Sequence, residues 1–86
     1  ALLSGDFFDV IDLGESRLAI TLGDVSGKGI AASVLMTATH GHLHAALRST
    51  GDCGRAMTLT NAFIEPRIPA AKFVTVWAAV IDTARR

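Results

Sequence analysis

The chain has 86 residues, of which half are hydrophobic and 19% are charged, and its eight basic residues balance its eight acidic ones. This length allows one small domain, and zero net charge argues against a nucleic-acid tail or a polybasic membrane patch. The longest apolar run, residues 73–81, is about half of what a membrane-spanning helix needs. The single cysteine, Cys53, cannot form an internal disulfide, so we expect a cytoplasmic chain without membrane contact.

The first predicted element is a β-hairpin. Residues 7–13 are rich in aromatic and branched side chains, and residues 17–24 alternate between apolar and other positions. Residues 14–16, with the sequence Gly-Glu-Ser, are typical of a hairpin turn. If the turn is centred on Glu15, paired residue numbers sum to 30, and Asp6 lies directly opposite Asp24.

Two helices and a strand follow the hairpin. Residues 30–48 have the composition and spacing of a long helix, and the apolar positions of residues 56–63 predict a second helix that ends before Pro66. Residues 72–82 are nearly all β-branched, aromatic or apolar, which predicts a strand at the centre of a sheet with Trp77 in the core. The predicted order is therefore β-β-α-α-β, an α+β fold.

Asp6 and Asp24 permit two interpretations. Facing residues of an antiparallel pair have Cβ atoms about 4.5–5.5 Å apart, where two ionised carboxylates repel each other. Such a pair needs a shared proton or a cation, and aligned carboxylate oxygens suit a hard divalent cation. Alternatively, each aspartate ends a strand and caps a turn, because Gly-Asp is ordinary turn chemistry.

The glycine-rich segment at residues 23–29 lies between a strand and a helix, where phosphate-binding loops occur. Leu22 stands where a P-loop needs its first glycine, and Gly29 stands where it needs serine or threonine. Residues 27–32 fit the dinucleotide pattern G-x-G-x-x-A, but the following parallel strand with its terminal acid is missing. An acid at a strand end beside a helix N-terminus is instead the layout of metal-assisted phosphoryl hydrolysis.

His40, His42 and His44 suggest a zinc site because His40 and His44 share one helix face. The metalloprotease pattern H-E-x-x-H is absent, and no second Cys or His cluster completes a tetrahedral site. We therefore predict partly exposed histidines at a helix end, where the dipole favours them. Cys53 is expected to be incidental rather than nucleophilic.

Four segments together resemble one protein family. They are Ser-Gly-Asp-Phe-Phe-Asp-Val at residues 4–10, Gly-Asp-Val-Ser-Gly-Lys-Gly-Ile-Ala-Ala at 23–32, Leu-Met at 35–36 and Phe-Val-Thr at 73–75. The chain resembles the SpoIIE-like branch of the bacterial metal-dependent (PPM) protein serine/threonine phosphatases. The resemblance implies an α-β-β-α sandwich with antiparallel sheets, of which residues 1–86 would be the N-terminal half.

The resemblance also implies a binuclear site for Mn²⁺ or Mg²⁺. It assigns Asp6 and Asp24 as catalytic metal ligands, with Asp24 bridging the two ions, and the backbone carbonyl of Val25 as a further ligand. Asp9 belongs to the motif but is expected on the other face of the strand or behind the ligands. The implied reaction is hydrolysis of phosphoserine or phosphothreonine by a water that the two ions activate.

The sequence departs from the family pattern after Phe73, where the Thr-Asp-Gly motif that carries further metal ligands is missing. The chain also opens on Ala1 and stops soon after an apolar run, so we expect an excerpt of a larger domain. The implied partners are phosphorylated anti-anti-sigma (STAS) proteins in stress or sporulation signalling. The alternative is a non-catalytic module that binds or dimerises through the helix at residues 29–48, and a homodimer is expected.

Overall fold

The computed structural model describes residues 5–27, 29–69 and 72–84. Its strands form one antiparallel sheet in the order β1-β2-β3, and their bounds are β1 Asp6–Gly14, β2 Arg17–Val25 and β3 Val74–Asp82. The α+β class is confirmed, and one sheet with one helical layer is compatible with part of a PPM-type sandwich. The predicted central position of the last strand is wrong, because β2 pairs on both sides and β3 pairs only with β2 among the described residues.

The hairpin register is confirmed from Asp6 opposite Asp24 to Asp12 opposite Leu18, where every pair of residue numbers sums to 30. The pairing changes only beside the turn, where Gly14 replaces Leu13 opposite Arg17. The two turn residues, Glu15 and Ser16, have φ angles of 53° and 65°. Positive φ at both central positions matches the right-handed twist of the flanking strands and so fixes the register.

The helices pack against one face of this sheet, and their bounds are α1 Ile30–Thr50, α2 Cys53–Ile64 and a short 3₁₀ turn, Glu65–Arg67. α1 ends where Gly51 adopts a φ of 64° and donates its N–H to the Leu47 carbonyl at 2.8 Å. α2 begins at once because the Asp52 side chain accepts the Arg55 N–H at 3.2 Å. No helix in the described ranges is long and apolar enough to cross a bilayer.

The core lies between the helices and the sheet. Its larger cluster combines side chains of β1, β2, α1 and α2, namely Phe7, Ile11, Ala19, Leu43, Ala46, Leu47 and Ala56. A second cluster joins the end of β2 to the start of α1 and the end of α2 through Val25, Ala32, Leu35 and Ile64. The buried face of α1 is therefore covered by the sheet and α2, whereas Ile30 and Val34 on its other side are exposed.

The opposite face of the sheet is apolar and exposed. Phe8, Leu22 and Trp77 are cross-strand neighbours there and are 64%, 45% and 54% exposed, respectively. The prediction that Trp77 lies in the core is wrong, because the helices cover only the other side of the sheet. A contiguous apolar surface of this kind is typical of a surface that contacts another layer or chain.

We expect the 86-residue chain to self-associate through this exposed sheet face and through the edge of β3 that pairs with no strand among the described residues. Unpaired strand edges and apolar patches both favour association in water. Sedimentation equilibrium should show a mass above that of the monomer, and Trp77→Lys should shift the chain toward the monomer. Val34→Lys, at an exposed apolar position of α1, is the matched control and should leave association unchanged. A folded wild-type monomer at high concentration would contradict this prediction.

Gly23 faces the helices directly beneath the Phe7 ring. A Cβ atom at Gly23 would lie 2.0 Å from the nearest atom of that ring, and Phe7 is itself buried. The ring stacks on His40 with centroids 4.8 Å apart and planes inclined by 4°. The absent side chain at Gly23 therefore makes room for a stack that joins the sheet to α1.

Gly23→Ala should destabilise the chain by about 1–3 kcal/mol, because the buried Phe7 ring would have to leave its stack on His40 to make room for the methyl group. Gly41→Ala is the matched control, since nothing lies within 4 Å of a Cβ atom at that exposed helix position. It should stabilise the chain by about 1 kcal/mol through helix propensity. Urea denaturation measures the free energy of unfolding of each variant. The same change in free energy for Gly23→Ala and Gly41→Ala would contradict the proposed packing of Phe7 over Gly23.

Candidate metal centre

Asp6 and Asp24 lie at the open end of the hairpin, on the sheet face away from the helices. Asp6 is the first residue of β1 and faces Asp24, the next-to-last residue of β2. Both side chains are exposed to solvent. The hydrogen bond between the two carboxyl groups, followed by the charge of Asp6, raises the pKa of Asp24 above its usual value. The pair therefore holds a proton more readily than an isolated aspartate does.

A cation can take the place of that proton. The donor set consists of oxygens, which are the ligands that Mn²⁺ and Mg²⁺ prefer, and it contains no nitrogen or sulfur that would favour a softer ion. Solvent access at this end of the hairpin leaves room for the water ligands that Mg²⁺ retains. The side-chain chemistry of Asp6 and Asp24 thus fits a hard divalent cation.

The Val25 carbonyl, the third predicted ligand, lies at the same end of the hairpin. The Val25 N–H donates to the Gly5 carbonyl at 2.7 Å, which extends the β1–β2 pairing beyond Asp6. A Cβ atom at Gly5 would lie 2.6 Å from the Val25 carbonyl oxygen, so only glycine permits this approach. The structure therefore brings Asp6, Asp24 and the Val25 backbone together, while their roles as ligands stay a prediction.

The loop after β2 is held against the start of β3. The Ser26 N–H donates to the Phe73 carbonyl, and the Phe73 N–H donates to the Ser26 side chain, both at 2.9 Å. The Lys72 side chain reaches Gly27, where its ammonium nitrogen would lie 2.5 Å from an added Cβ atom. Sequence analysis missed Lys72, because only the pairing of β2 with β3 brings this cation to the loop.

α1 begins beside this loop without a capping side chain. Gly29 precedes the helix with a φ of 90°, and no side chain in the part of the chain that the structure describes caps the first N–H groups. Unpaired N–H groups and the helix dipole both favour an anion at this position. The loop therefore places donors for phosphate oxygens on the chain segment that directly follows Asp24 and Val25.

Asp9 lies on the other face of β1, as the sequence predicted, and meets two histidines of α1. His40 Nε2 and His44 Nδ1 both donate to Asp9 Oδ2 at 2.8 Å. Partial burial raises the pKa of Asp9, but the hydrogen bonds and charges of His44 and His40 outweigh it and lower that pKa. The prediction of histidines at a helix end is wrong, because both lie in the middle of α1.

His42 points to a different part of the structure. Its ring stacks on Phe63 with centroids 4.4 Å apart, and its Nδ1 lies 3.3 Å from the Thr60 hydroxyl. It therefore helps α1 pack on α2 and takes no part in the Asp9 cluster. The spacing of the three histidines predicts this separation of His42 from the other two. Residues 40 and 44 are one helical turn apart and share a face of α1, whereas residue 42 lies on another face.

The three-stranded antiparallel sheet with its helical layer is an α+β fold compatible with part of a PPM-type domain. A family model described as Stage II sporulation protein E (SpoIIE) matches residues 14–86, and the chain belongs to this family. The match contains Asp24, Val25 and both histidines of the Asp9 cluster, whereas Asp6 and Asp9 precede it.

One curated relative resembles part of the chain. Protein IcfG of Synechocystis sp. is 50% identical over 34 residues, a stretch that covers 40% of this chain and 5% of IcfG. The chain thus corresponds to a small part of that relative's length.

Asp24→Asn should leave the metal-free chain as stable as the wild type or more stable at neutral pH, because it removes one of two repelling carboxylates. The folded-state pKa of Asp24 is raised, so its favourable contribution is present at low pH and is lost as pH rises through that pKa. The difference in free energy of unfolding between wild type and Asp24→Asn should therefore change with pH above 3.8, which is the ordinary pKa of an aspartate side chain.

Urea denaturation with a chelator at several pH values measures this difference. Asp12→Asn is the matched control, because Asp12 is an exposed aspartate of the same hairpin, on β1 near the turn, and its Oδ1 accepts the Gly14 N–H at 2.8 Å. An asparagine there retains that acceptor and should show no comparable pH dependence. A marked loss of metal-free stability in Asp24→Asn would show that Asp24 acts as a structural cap.

Proposed function

We propose that this chain forms part of a metal-dependent protein serine/threonine phosphatase that acts through a binuclear Mn²⁺ or Mg²⁺ site. The carboxylate pair Asp6–Asp24, beside the Val25 carbonyl, is the observation that carries this proposal. Membership of the SpoIIE family supports the same conclusion, because its match over residues 14–86 includes Asp24 and Val25.

The oxygens of Asp6, Asp24 and Val25 would hold the ions, with Asp24 shared between them. When bound, two such ions supply a nucleophilic water at neutral pH and neutralise phosphoryl charge. The chain itself positions the ligands, because the hairpin register holds both carboxylates side by side at the open end of the hairpin. The Lys72 ammonium beside Gly27 and the uncapped N-terminus of α1 follow the carboxylates at the end of β2 and would bind phosphate oxygens.

The shape of the site favours a protein substrate. The carboxylates lie in an open depression of the exposed sheet face, bordered by Phe8, Leu22, Thr75 and Trp77. An open apolar surface next to the reacting groups suits a phosphorylated side chain on a folded partner better than it suits an enclosed small molecule. We propose a phosphorylated anti-anti-sigma (STAS) type protein as the partner and the bacterial cytoplasm as the site of action.

Mn²⁺ titration tests the metal site directly. The chain should bind Mn²⁺, Asp6→Asn and Asp24→Asn should each weaken binding by about 100-fold or more, and Asp12→Asn should bind like wild type. Isothermal titration calorimetry gives the affinities. Equal binding by wild type and Asp24→Asn would overturn the assignment of Asp24.

Hydrolysis of a phosphoserine peptide tests the reaction. The 86-residue chain alone should show no appreciable turnover, because Asp6, Asp24 and one carbonyl supply too few oxygens to hold two ions firmly. The intact gene product should hydrolyse the peptide with Mn²⁺ and lose this activity in Asp24→Asn. Chelator-sensitive hydrolysis by the isolated chain, or an unaffected Asp24→Asn variant, would contradict this prediction.

A non-catalytic interaction module is the second candidate. The exposed apolar face of the sheet favours it more than the helix first considered for dimerisation, because most apolar side chains of that helix are buried or partly buried against the sheet and α2. Such a module has no reason to bind Mn²⁺ at Asp24. The calorimetric titration therefore separates the two candidates.

A further inference from the structure

Asp9 of β1 meets His40 and His44 of α1, although all of β2 and the first part of α1 lie between them in the sequence. One ligand atom from each residue lies within 4.8 Å of the other two. The cluster faces the helices, whereas Asp6 and Asp24 face the opposite side of the sheet. It is therefore separate from the proposed Mn²⁺ or Mg²⁺ site and uses none of its residues.

We propose that Asp9, His40 and His44 form a binding site for a single Zn²⁺ ion that joins α1 to β1. Two imidazole nitrogens and one carboxylate oxygen make a ligand set that suits Zn²⁺ and is poor for Mg²⁺ or Mn²⁺. A tetrahedral Zn²⁺ with bonds of about 2.0–2.2 Å holds its ligand atoms about 3.3–3.6 Å apart. Each nitrogen now lies 2.8 Å from Asp9 Oδ2, so these two separations need to lengthen by about 0.5–0.8 Å. The two nitrogens lie within 4.8 Å of each other and need to approach by at most about 1.5 Å.

The ligands are already oriented by packing. Phe7, buried beneath the helix, stacks on the His40 ring and fixes its plane. His40 and His44 are one helical turn apart, so their rings meet Asp9 from the same side of α1. The side chains of Asp9, His40 and His44 are 19%, 35% and 41% exposed, which gives an ion access from solvent and leaves a fourth position for water.

Thr21 provides an independent observation beside the cluster. It lies directly opposite Asp9 in the hairpin, on the helix-facing side, and is only 1% exposed. Its hydroxyl is the buried side-chain group that finds no hydrogen-bond partner within the described ranges. Burial of an unpaired hydroxyl is costly, so a polar group bound beside Asp9 on this side of the sheet would relieve a cost that the described residues leave unmet.

The competing interpretation is a cluster held by hydrogen bonds alone. In that case His40 Nε2 and His44 Nδ1 act only as hydrogen-bond donors to Asp9. The N–H of a side-chain amide can then replace each imidazole N–H. The His40→Gln, His44→Asn double variant places amide N–H groups near the positions of Nε2 and Nδ1. It therefore keeps donors to Asp9 but removes both imidazole ligands.

Zinc titration in the Asp24→Asn background tests the proposal, because that background weakens the other metal site. The chain should bind one Zn²⁺, and the double variant should lose at least about 100-fold in affinity. His42→Asn is the matched control and should bind as the parent does, because His42 contacts Thr60 and Phe63 instead. Co²⁺ should give the intense visible absorption of tetrahedral coordination in the parent and in His42→Asn.

Retention of Zn²⁺ affinity in the double variant would overturn the proposal, as would the absence of stoichiometric Zn²⁺ binding by the parent. Circular dichroism of the double variant establishes that it is folded. If it is not, Asp9→Asn provides the second measurement, and it should also lose Zn²⁺ affinity and the Co²⁺ absorption. Failure of Mn²⁺ binding at Asp6 and Asp24 leaves this test unaffected, because the two sites share no ligand.

Discussion

The pairing of β1 with β2 is the constraint on which both candidate sites depend. Side chains alternate between the two faces of a strand, so Asp6 and Asp9, which are three residues apart, point to opposite faces. The observed register places Asp6 against Asp24 on one face and directs Asp9 to the histidines of α1 on the other. A slip of one residue would exchange the two faces and remove both arrangements.

Burial of the core on one side of the sheet stabilises that register. Phe7, Ile11 and Ala19 are buried beneath the helices, and a slip would expose these side chains to solvent. The Phe7 ring occupies the volume above Gly23 and stacks on His40, so the same packing also orients a member of the Asp9 cluster. Hydrophobic burial thus positions polar groups that contribute little to the stability of the hairpin themselves.

The two faces of the hairpin offer different chemistry. On the exposed face, two carboxyl groups share a hydrogen bond that raises the pKa of Asp24. On the helix-facing side, the histidine contacts outweigh the effect of burial and lower the pKa of Asp9. Oxygen ligands favour hard ions, whereas a mixed nitrogen and oxygen set favours Zn²⁺, so the two clusters would select different metals.

The sequence by itself determined the order of the elements, the hairpin register and the opposition of Asp6 to Asp24. These features follow from local turn chemistry and from side-chain alternation, which a single sequence carries. The family was also recognisable, because its motifs are contiguous segments such as residues 23–32. Sequence reasoning placed Asp9 correctly on the other face of β1 but did not find its partners, because they lie on α1.

Only the tertiary structure decided which surfaces are covered and which distant residues meet. Trp77 and the last strand have the composition of a buried element, yet burial depends on the layers that pack against a strand, and the helices lie on the other face. The same long-range packing brings α1 onto β1, so it decided that the two histidines meet Asp9. Such contacts arise from the way separate elements pack, and no local pattern in the chain specifies them.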